Sequence, residues 1–359
     1  MTRKFIKGLD LGEIFYREAV KPLLDEHYPN LTYSAALLGA GSEILGFDTA
    51  QSADHDWGPR LMLFLQPEDH DEIGRELFQF FRTHLPKEVR GYSTNFAKPD
   101  GGSSFMAPTD GDEINHRIGI YTVGGLFKHM LRFDPRDEMQ PADWVKVPGY
   151  NLRMATAGRV YHDGLNQLDL IRKKLAYYPH DVWLYLLATQ WSRIGEEEAF
   201  VGRTGQVGDE LGSRLVAGRL INDMMRLCFL MERQYPTYIK WYGTAFSKLN
   251  CADELIPIFM AVMDAQRWHA REKALIQAYE IVMRKHNSLG LTDEIEPTVR
   301  LFHDRPFLVT QAERFAAALY NKVEDTAVLA LPRYLGSIDQ FVDSTAALQY
   351  LDRFESLYV

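Results

Sequence analysis

The amino-acid sequence predicts an α+β protein of two domains, with strands and helices mixed from residue 1 to about 176 and helices alone from 177 to 359. Length is the first reason: at roughly 150 residues per domain, 359 residues leave room for two cores. Patterning is the second. Short apolar runs ended by Gly, Ser or Pro lie in the first half, whereas the second half repeats apolar residues at helical spacing. The third is composition, which at 46% hydrophobic and 25% charged is that of an ordinary globular chain with material for both cores.

Leu9 to Tyr28 sets Ile14, Phe15, Val20, Leu23 and Leu24 near one helical face, which predicts an amphipathic helix. Tyr33 to Leu38 is an apolar run that stops at Gly39-Ala40-Gly41-Ser42, as a strand entering a tight turn does. Arg60 to Leu65, closed by Gln66-Pro67, is a second strand whose unbroken hydrophobicity calls for burial on both faces. Asp69 to Leu85 carries Ile73, Leu77, Phe80, Phe81 and Leu85 at helical spacing and is stopped by Pro86. Val89 to Ser93 and His116 to Val123 read as strands on either side of a Gly-, Ser- and Pro-rich stretch, Thr94 to Gly111, expected to be a mobile loop beside a site. A helix from Leu126 to Phe133, a strand from Gly158 to Asp163 and a helix from Leu165 to Leu175 complete the first domain. After Pro179, helices are expected over Asp181 to Phe200, Asp209 to Tyr235, Tyr238 to Leu249 and Ala252 to His286, then over Thr310 to Asp325 and Ile338 to Tyr358.

A net charge of -9 leaves no global positive field, which argues against coating of extended nucleic acid but leaves a local basic cleft for one nucleotide open. Two cysteines are too few for a zinc cluster, and Cys228 sits in the apolar run Leu227 to Leu230 as a core residue would. The expected compartment is therefore reducing, and the expected location cytoplasmic. No apolar stretch follows the basic start Arg3-Lys4, so no secretory signal is read. The apolar run Leu255 to Met263, bounded by Glu254 and Asp264, is far short of the roughly 20 residues of a membrane span.

The stretch that carries chemistry runs from Gly41 to Asp56. Asp54 and Asp56 are two apart at the expected start of a strand, where a period of two would place both carboxylates on one face and His55 on the other. Adjacent like charges call for a cation, and Mg²⁺ takes one or two carboxylates together with substrate phosphates. Gly41 lets backbone approach a phosphate, while its amide and the Ser42 hydroxyl can donate to phosphate oxygens. The bland alternative is a polar turn with solvated acids.

A Gly-Ser pair after a strand, some ten residues, then Asp-x-Asp resembles the DNA polymerase beta-like nucleotidyltransferase superfamily, which Gly41-Ser42 and Asp54-His55-Asp56 match. Further stretches resemble the bacterial family labelled domain of unknown function 4037: Tyr121-Thr122-Val123, Glu197 to Arg203, Gly208 to Arg214 and Lys240 to Phe246. The resemblance implies a small mixed-sheet nucleotidyltransferase-like domain followed by an all-α helical domain, an architecture also similar to aminoglycoside nucleotidyltransferases of the kanamycin type. It implies ATP or another NTP as substrate, Mg²⁺ or Mn²⁺ held by Asp54 and Asp56, Gly41 and Ser42 on the triphosphate, and NMP transfer to a hydroxyl of a small molecule or protein. One departure is visible: superfamily members carry a third carboxylate on a later strand, where this chain has Gly119. A catalytically impaired nucleotide-binding regulator is the competing expectation, with Asp163 a conceivable replacement ligand.

The likeness to helical domains that supply a general-base glutamate directs attention to Glu196, Glu197 and Glu198, with Glu198 the choice, although a charge run is more often a solvated helix face. Arg203 and Lys240, with Arg214, are candidates for the triphosphate, against an equally common fate in interhelical ion pairs. Trp241, Tyr242 and Tyr178 are candidates for stacking on a base or sugar.

Overall fold

The structure, a computed structural model, describes residues 5–98, 102–344 and 346–358. The chain divides into two compact units, Met1–Glu138 with Asn151–Ala176, and Met139–Tyr150 with Tyr177–Val359. Residues 139–150, taken from sequence with the first domain, thus group with the second.

The strands of the first unit are β1 (Tyr33–Leu37), β2 (Arg60–Leu65), β3 (Glu88–Val89), β4 (Tyr92–Ser93), β5 (Phe96–Ala97), β6 (Phe105–Met106), β7 (Arg117–Thr122) and β8 (Arg159–Asp163). Four of them build one mixed sheet in the order β7-β2-β1-β8. β1 is antiparallel to β2 and β8, while β2 runs parallel to β7 with Arg60 opposite Arg117 and Met62 opposite Gly119. Every residue of β1 is buried, as its lack of polar alternation requires. Leu61, Leu63 and Leu65 of β2 share a core with Ala35, Phe15, Val20, Leu77 and Phe81, which come from β1 and from the helices Gly8–Phe15 and Pro67–His84 and the π turn Tyr16–Val20. A side chain such as Leu63, wholly withdrawn from water, contributes about 2 kcal/mol.

Two local readings are corrected. The segment expected as one strand over Val89 to Ser93 is a hairpin: β3 and β4 pair across Arg90 and Gly91, both at positive φ (51° and 77°), the pattern of a type I′ turn. The stretch expected as a mobile loop contains a short ladder, β5 with β6, and Asn115 binds the Phe96 backbone on both sides.

In the second unit the helices include His180–Glu197, Phe200–Gln206, Glu210–Met231, Ile239–Phe246 and Glu313–Tyr320. The single helix expected from Ala252 to His286 is two, Ala252–Asp264 and Trp268–Ser288. The break is held by side chains: Glu210 accepts from the Trp268 amide, and Arg271, completely buried, donates to the Ala265 carbonyl. The unit also holds an antiparallel pair, β9 (Arg300–Phe302) with β10 (Arg305–Val309), where only helices were expected. The long helix expected from Ile338 to Tyr358 is a short helix, Ile338–Phe341, followed by the 3₁₀ turns Ala347–Gln349 and Leu351–Tyr358. Among the described residues no helix is long and apolar enough to cross a membrane.

Candidate functional site

The turn after β1 is shaped by Gly41, whose φ of 146° is open to glycine; a Cβ there would lie 2.6 Å from a Glu43 carboxylate oxygen. Turn bonds close the loop from the carbonyl side, Leu45 N–H to Gly41 and Phe47 N–H to Ser42. The amides of Gly41 and Ser42 and the Ser42 hydroxyl donate to no group among the described residues, although both residues are half-buried. Adjacent free N–H groups on a glycine turn form a concavity suited to an anion.

The loop is fastened below by Asp48, which is buried and accepts from the Gly8 amide at 2.7 Å and the Trp57 indole at 3.2 Å, with Lys7 3.3 Å away. Beyond it the structure departs from the sequence reading. Asp54 and Asp56 are not at the start of a strand: Asp54 follows the 3₁₀ turn Gln51–Ala53, Asp56 has φ 48°, and β2 begins only at Arg60. The period-two argument for paired carboxylates therefore fails. His55 does not oppose them either; its Nδ1 lies 2.9 Å from Asp54 Oδ1, and this contact holds the exposed Asp54 carboxyl below its ordinary value.

Asp56 is tied into a chain of charges. Its Oδ1 accepts from Arg117 Nη1 at 3.1 Å and from the Ser104 amide at 3.3 Å. Burial pushes this carboxyl up, but the Ser104 amide and the Arg117 guanidinium outweigh it and hold it low. Arg60 Nη1 donates to Glu43 Oε1 at 2.9 Å and to the Asp56 carbonyl at 2.5 Å. Glu43 is buried, and desolvation raises its pKa against the pull of Arg60. Arg117 also lies over the Phe96 ring at 5.6 Å. The Gly41 turn, Glu43, Arg60, Asp56 and Arg117 are thus one connected cluster, beside a recess of about 190 Å³ lined by Arg60, Arg117, His116, Gly119 and Tyr121. The sequence reading missed both arginines. The signal was present, since an arginine opens each of two strands that carry no other charge.

The missing third carboxylate has a local reason: a Cβ on Gly119 would meet the Tyr121 ring at 2.4 Å, so that ring occupies the space a side chain would need. Asp163 does not replace it. It accepts from Ser34 Oγ at 2.7 Å and from the amides of Gln167 and Asp169, anchoring the start of the helix Leu168–Lys174. No group of three His, Cys, Asp or Glu side chains able to hold a metal occurs among the described residues. Two guanidiniums offset the carboxylates of the cluster, so its donor set does not fit a resident metal. Asp56 Oδ2, which has no hydrogen-bond partner among the described residues, and the exposed Asp54 remain able to meet a cation that arrives on a phosphate.

The second-unit candidates sit otherwise than expected. Glu198 is buried; Oε2 accepts from the Thr310 amide and hydroxyl, both at 2.6 Å, and Oε1 from the Ala312 amide at 3.3 Å. It fastens the segment before the helix Glu313–Tyr320 with both oxygens engaged and does not line a cavity of about 770 Å³ in that unit, so the structure gives the general-base assignment no support. Glu197 pairs with Arg219 and Arg214 binds the Gln266 side chain. Arg203 and Lys240 are exposed, each over an aromatic neighbour, Phe200 at 5.3 Å and Trp241 at 5.3 Å. Neither lines that cavity, whose guanidiniums are Arg193, Arg219 and Arg226. Tyr178 is buried in an aromatic cluster with Trp144, Tyr177 and Tyr235, while Tyr242 reaches the cavity wall.

A small mixed sheet with helices, followed by a mainly helical unit, is the class this chain defines. Residues 144–242 match the family described as Domain of unknown function (DUF4037), in agreement with the likeness read from the sequence. No curated protein matches the chain. The crystal structure of a nucleotidyltransferase-like protein from Exiguobacterium sibiricum 255-15 aligns with 85% of this chain and 89% of its own at 10% identity, with a TM-score of 0.32, too low to equate the two folds.

Proposed function

We propose that the first unit binds a nucleoside triphosphate, ATP foremost, together with the Mg²⁺ or Mn²⁺ it carries, and transfers its nucleotidyl group to a hydroxyl of a small molecule or protein. The observation that supports this is the run of donors at Gly41 and Ser42 that meet no partner among the described residues, joined through Glu43 to Arg60 and on through Asp56 to Arg117. In this reading the turn amides and the Ser42 hydroxyl hold phosphate oxygens, and Arg117 adds a planar fork that suits phosphate. Asp56, with the exposed Asp54 two residues before it, would meet the cation that the triphosphate carries, whose charge would offset that of the phosphates. The acceptor oxygen then bonds to the α-phosphorus, the bond to the bridging oxygen breaks, pyrophosphate leaves and the hydroxyl proton passes to water. Positioning and charge compensation supply most of the acceleration.

A second reading, nucleotide binding without transfer, is favoured by one arrangement: Arg117 already compensates Asp56, and Tyr121 closes over Gly119. Calorimetric titration with ATP and Mg²⁺ tests both readings. Asp54→Ala and Asp56→Ala are expected to weaken binding at least about tenfold, as loss of charged contacts does; unchanged affinity in both variants refutes the site. Sustained pyrophosphate release in the presence of cell extract supports transfer, and saturable binding without release supports the regulator.

A further inference from the structure

β7 is an outer strand of the mixed sheet, and among the described residues no strand pairs with its free side. An edge of this kind offers unpaired N–H and C=O groups to any strand that meets it, and chains blunt it with proline, a bulge or charge. β8, at the far edge, is blunted: its pairing with β1 shifts register, and Arg159 and Asp163 stand at its ends. β7 has none of these devices. Its six residues keep register with β2 throughout, include no proline and carry one charge, Arg117, already drawn to Asp56. A recess of about 800 Å³ follows this edge beneath the helix Pro67–His84, lined by Ile120 of the strand and by His70, Asp71, Glu72, Arg75 and Phe78 of the helix. The Ile118 amide donates to the His116 ring at 3.1 Å, which marks Ile118 as turned to the free side; alternate residues turn alike, so the backbone of Ile120 and Thr122 also faces outward.

We infer that the chain forms a homodimer in which β7 pairs antiparallel with β7 of a second copy about a two-fold axis at Ile120, joining the two four-stranded sheets into one. The edge and the helix above it are both self-complementary in that arrangement. Ile120 exchanges two hydrogen bonds with its counterpart, and the Thr122 amide donates to the Ile118 carbonyl of the second copy. The groups left over, the Ile118 amide and the Thr122 carbonyl, are engaged within each chain, by His116 and by the helix Val123–Leu131 that Thr122 caps. On the other face of the strand pair, Gly119 comes opposite Tyr121 of the second copy. Gly74 packs on Ile120, where a Cβ would lie 3.7 Å from Ile120 Cγ2, so the axis passes close to the middle of the helix Pro67–His84. Arg75 of one copy is then level with Asp71 and Glu72 of the other. All three are exposed; Asp71 lies 3.3 Å from its neighbour His70, and neither Glu72 nor Arg75 is in an ion pair among the described residues. The inference does not depend on the nucleotide reading.

Sedimentation velocity of the full chain over about 1 to 100 µM, a range wide enough for a specific homodimer, should show twice the mass of one chain. Ile120→Pro removes the amide at the axis, at a position where an edge strand tolerates proline, and should raise the dimer Kd at least about tenfold. Arg75→Glu alters only exposed helix surface; it should leave the melting temperature of the dilute protein unchanged and raise the Kd at least about tenfold by setting acid against acid. Adding Glu72→Arg to Arg75→Glu restores opposite charges across the axis and should recover the dimer, a result that neither misfolding nor contact through another face produces. A parent that stays monomeric over the whole range overturns the inference and leaves the edge to a strand from another protein. A dimer that either Ile120→Pro or Arg75→Glu leaves as tight as the parent, or that the reversed pair fails to restore, overturns it as well.

Discussion

A side chain's chemistry is decided by what it is already bonded to, and Glu198 is the plainest case. In sequence it is one of three neighbouring acids beside basic and glycine residues, a composition that fits a general base. In the structure its two oxygens serve three donors from Thr310 and Ala312. Burial still raises its pKa, with the Thr310 and Ala312 bonds opposing. Removing the carboxylate leaves three donors unpaired, so Glu198→Ala is expected to cost about 3 kcal/mol of stability, read as a shift in the urea midpoint, with ATP affinity unchanged. If transfer is lost while the urea midpoint stays put, Glu198 is catalytic after all. Asp56 is the converse: one oxygen is committed to Arg117 and Ser104, and the other is left for a ligand.

Elements whose signal is local were legible, and those fixed by distant partners were not. The strands β1, β2, β7 and β8 and the helix Pro67–His84 follow from apolar runs and periodicity with Gly or Pro at their ends. The break between Asp264 and Trp268 carries no such punctuation, because Glu210, on a helix far back in the chain, takes the Trp268 amide, and Arg271 on the first turn of the following helix reaches back to the Ala265 carbonyl. The Arg90-Gly91 turn was hidden by an arginine at positive φ, which bidentate pairing with Glu18 accompanies. At the candidate site, the Gly-Ser turn was readable, but the register of Arg60 opposite Arg117 depends on β2 and β7 pairing in parallel across some fifty residues of intervening chain. The turn itself gives a test. Gly41→Ala must adopt an unfavourable φ and displace the Glu43 carboxylate, which should cost about 2 kcal/mol and weaken ATP binding, seen as a lower melting temperature and a higher Kd. A variant as stable and as tight as the parent means that the turn is neither strained nor used.

At the scale of the molecule, buried titratable groups set the response to pH, and two classes act in opposite directions. Burial raises the pKa of Glu43, Glu198 and Asp223; their contribution is fully present below the unfolded values near 4.5 and 3.8 and is lost as pH rises through the folded ones. His286 is the opposite. Burial lowers it from 6.5 to about 4, and it is held neutral between the Trp191 indole, which donates to Nδ1 at 3.2 Å, and the Thr292 hydroxyl, 3.2 Å from Nε2. A depressed folded pKa means that the unfolded chain takes up the proton first, so this contribution is present above pH 6.5 and is lost as pH falls toward 4. Between pH 7.5 and 5.0 the linkage amounts to about 2 kcal/mol. Urea unfolding at those two pH values should therefore show His286→Gln losing about 2 kcal/mol less than the parent on acidification, even though the variant is the less stable at pH 7.5 for want of a well-fitted ring. Equal losses in the two proteins would mean that the imidazole is protonated in the folded state or reaches water, and that acid sensitivity is governed by the other buried histidine, His116, whose pKa is also lowered by burial in the first unit.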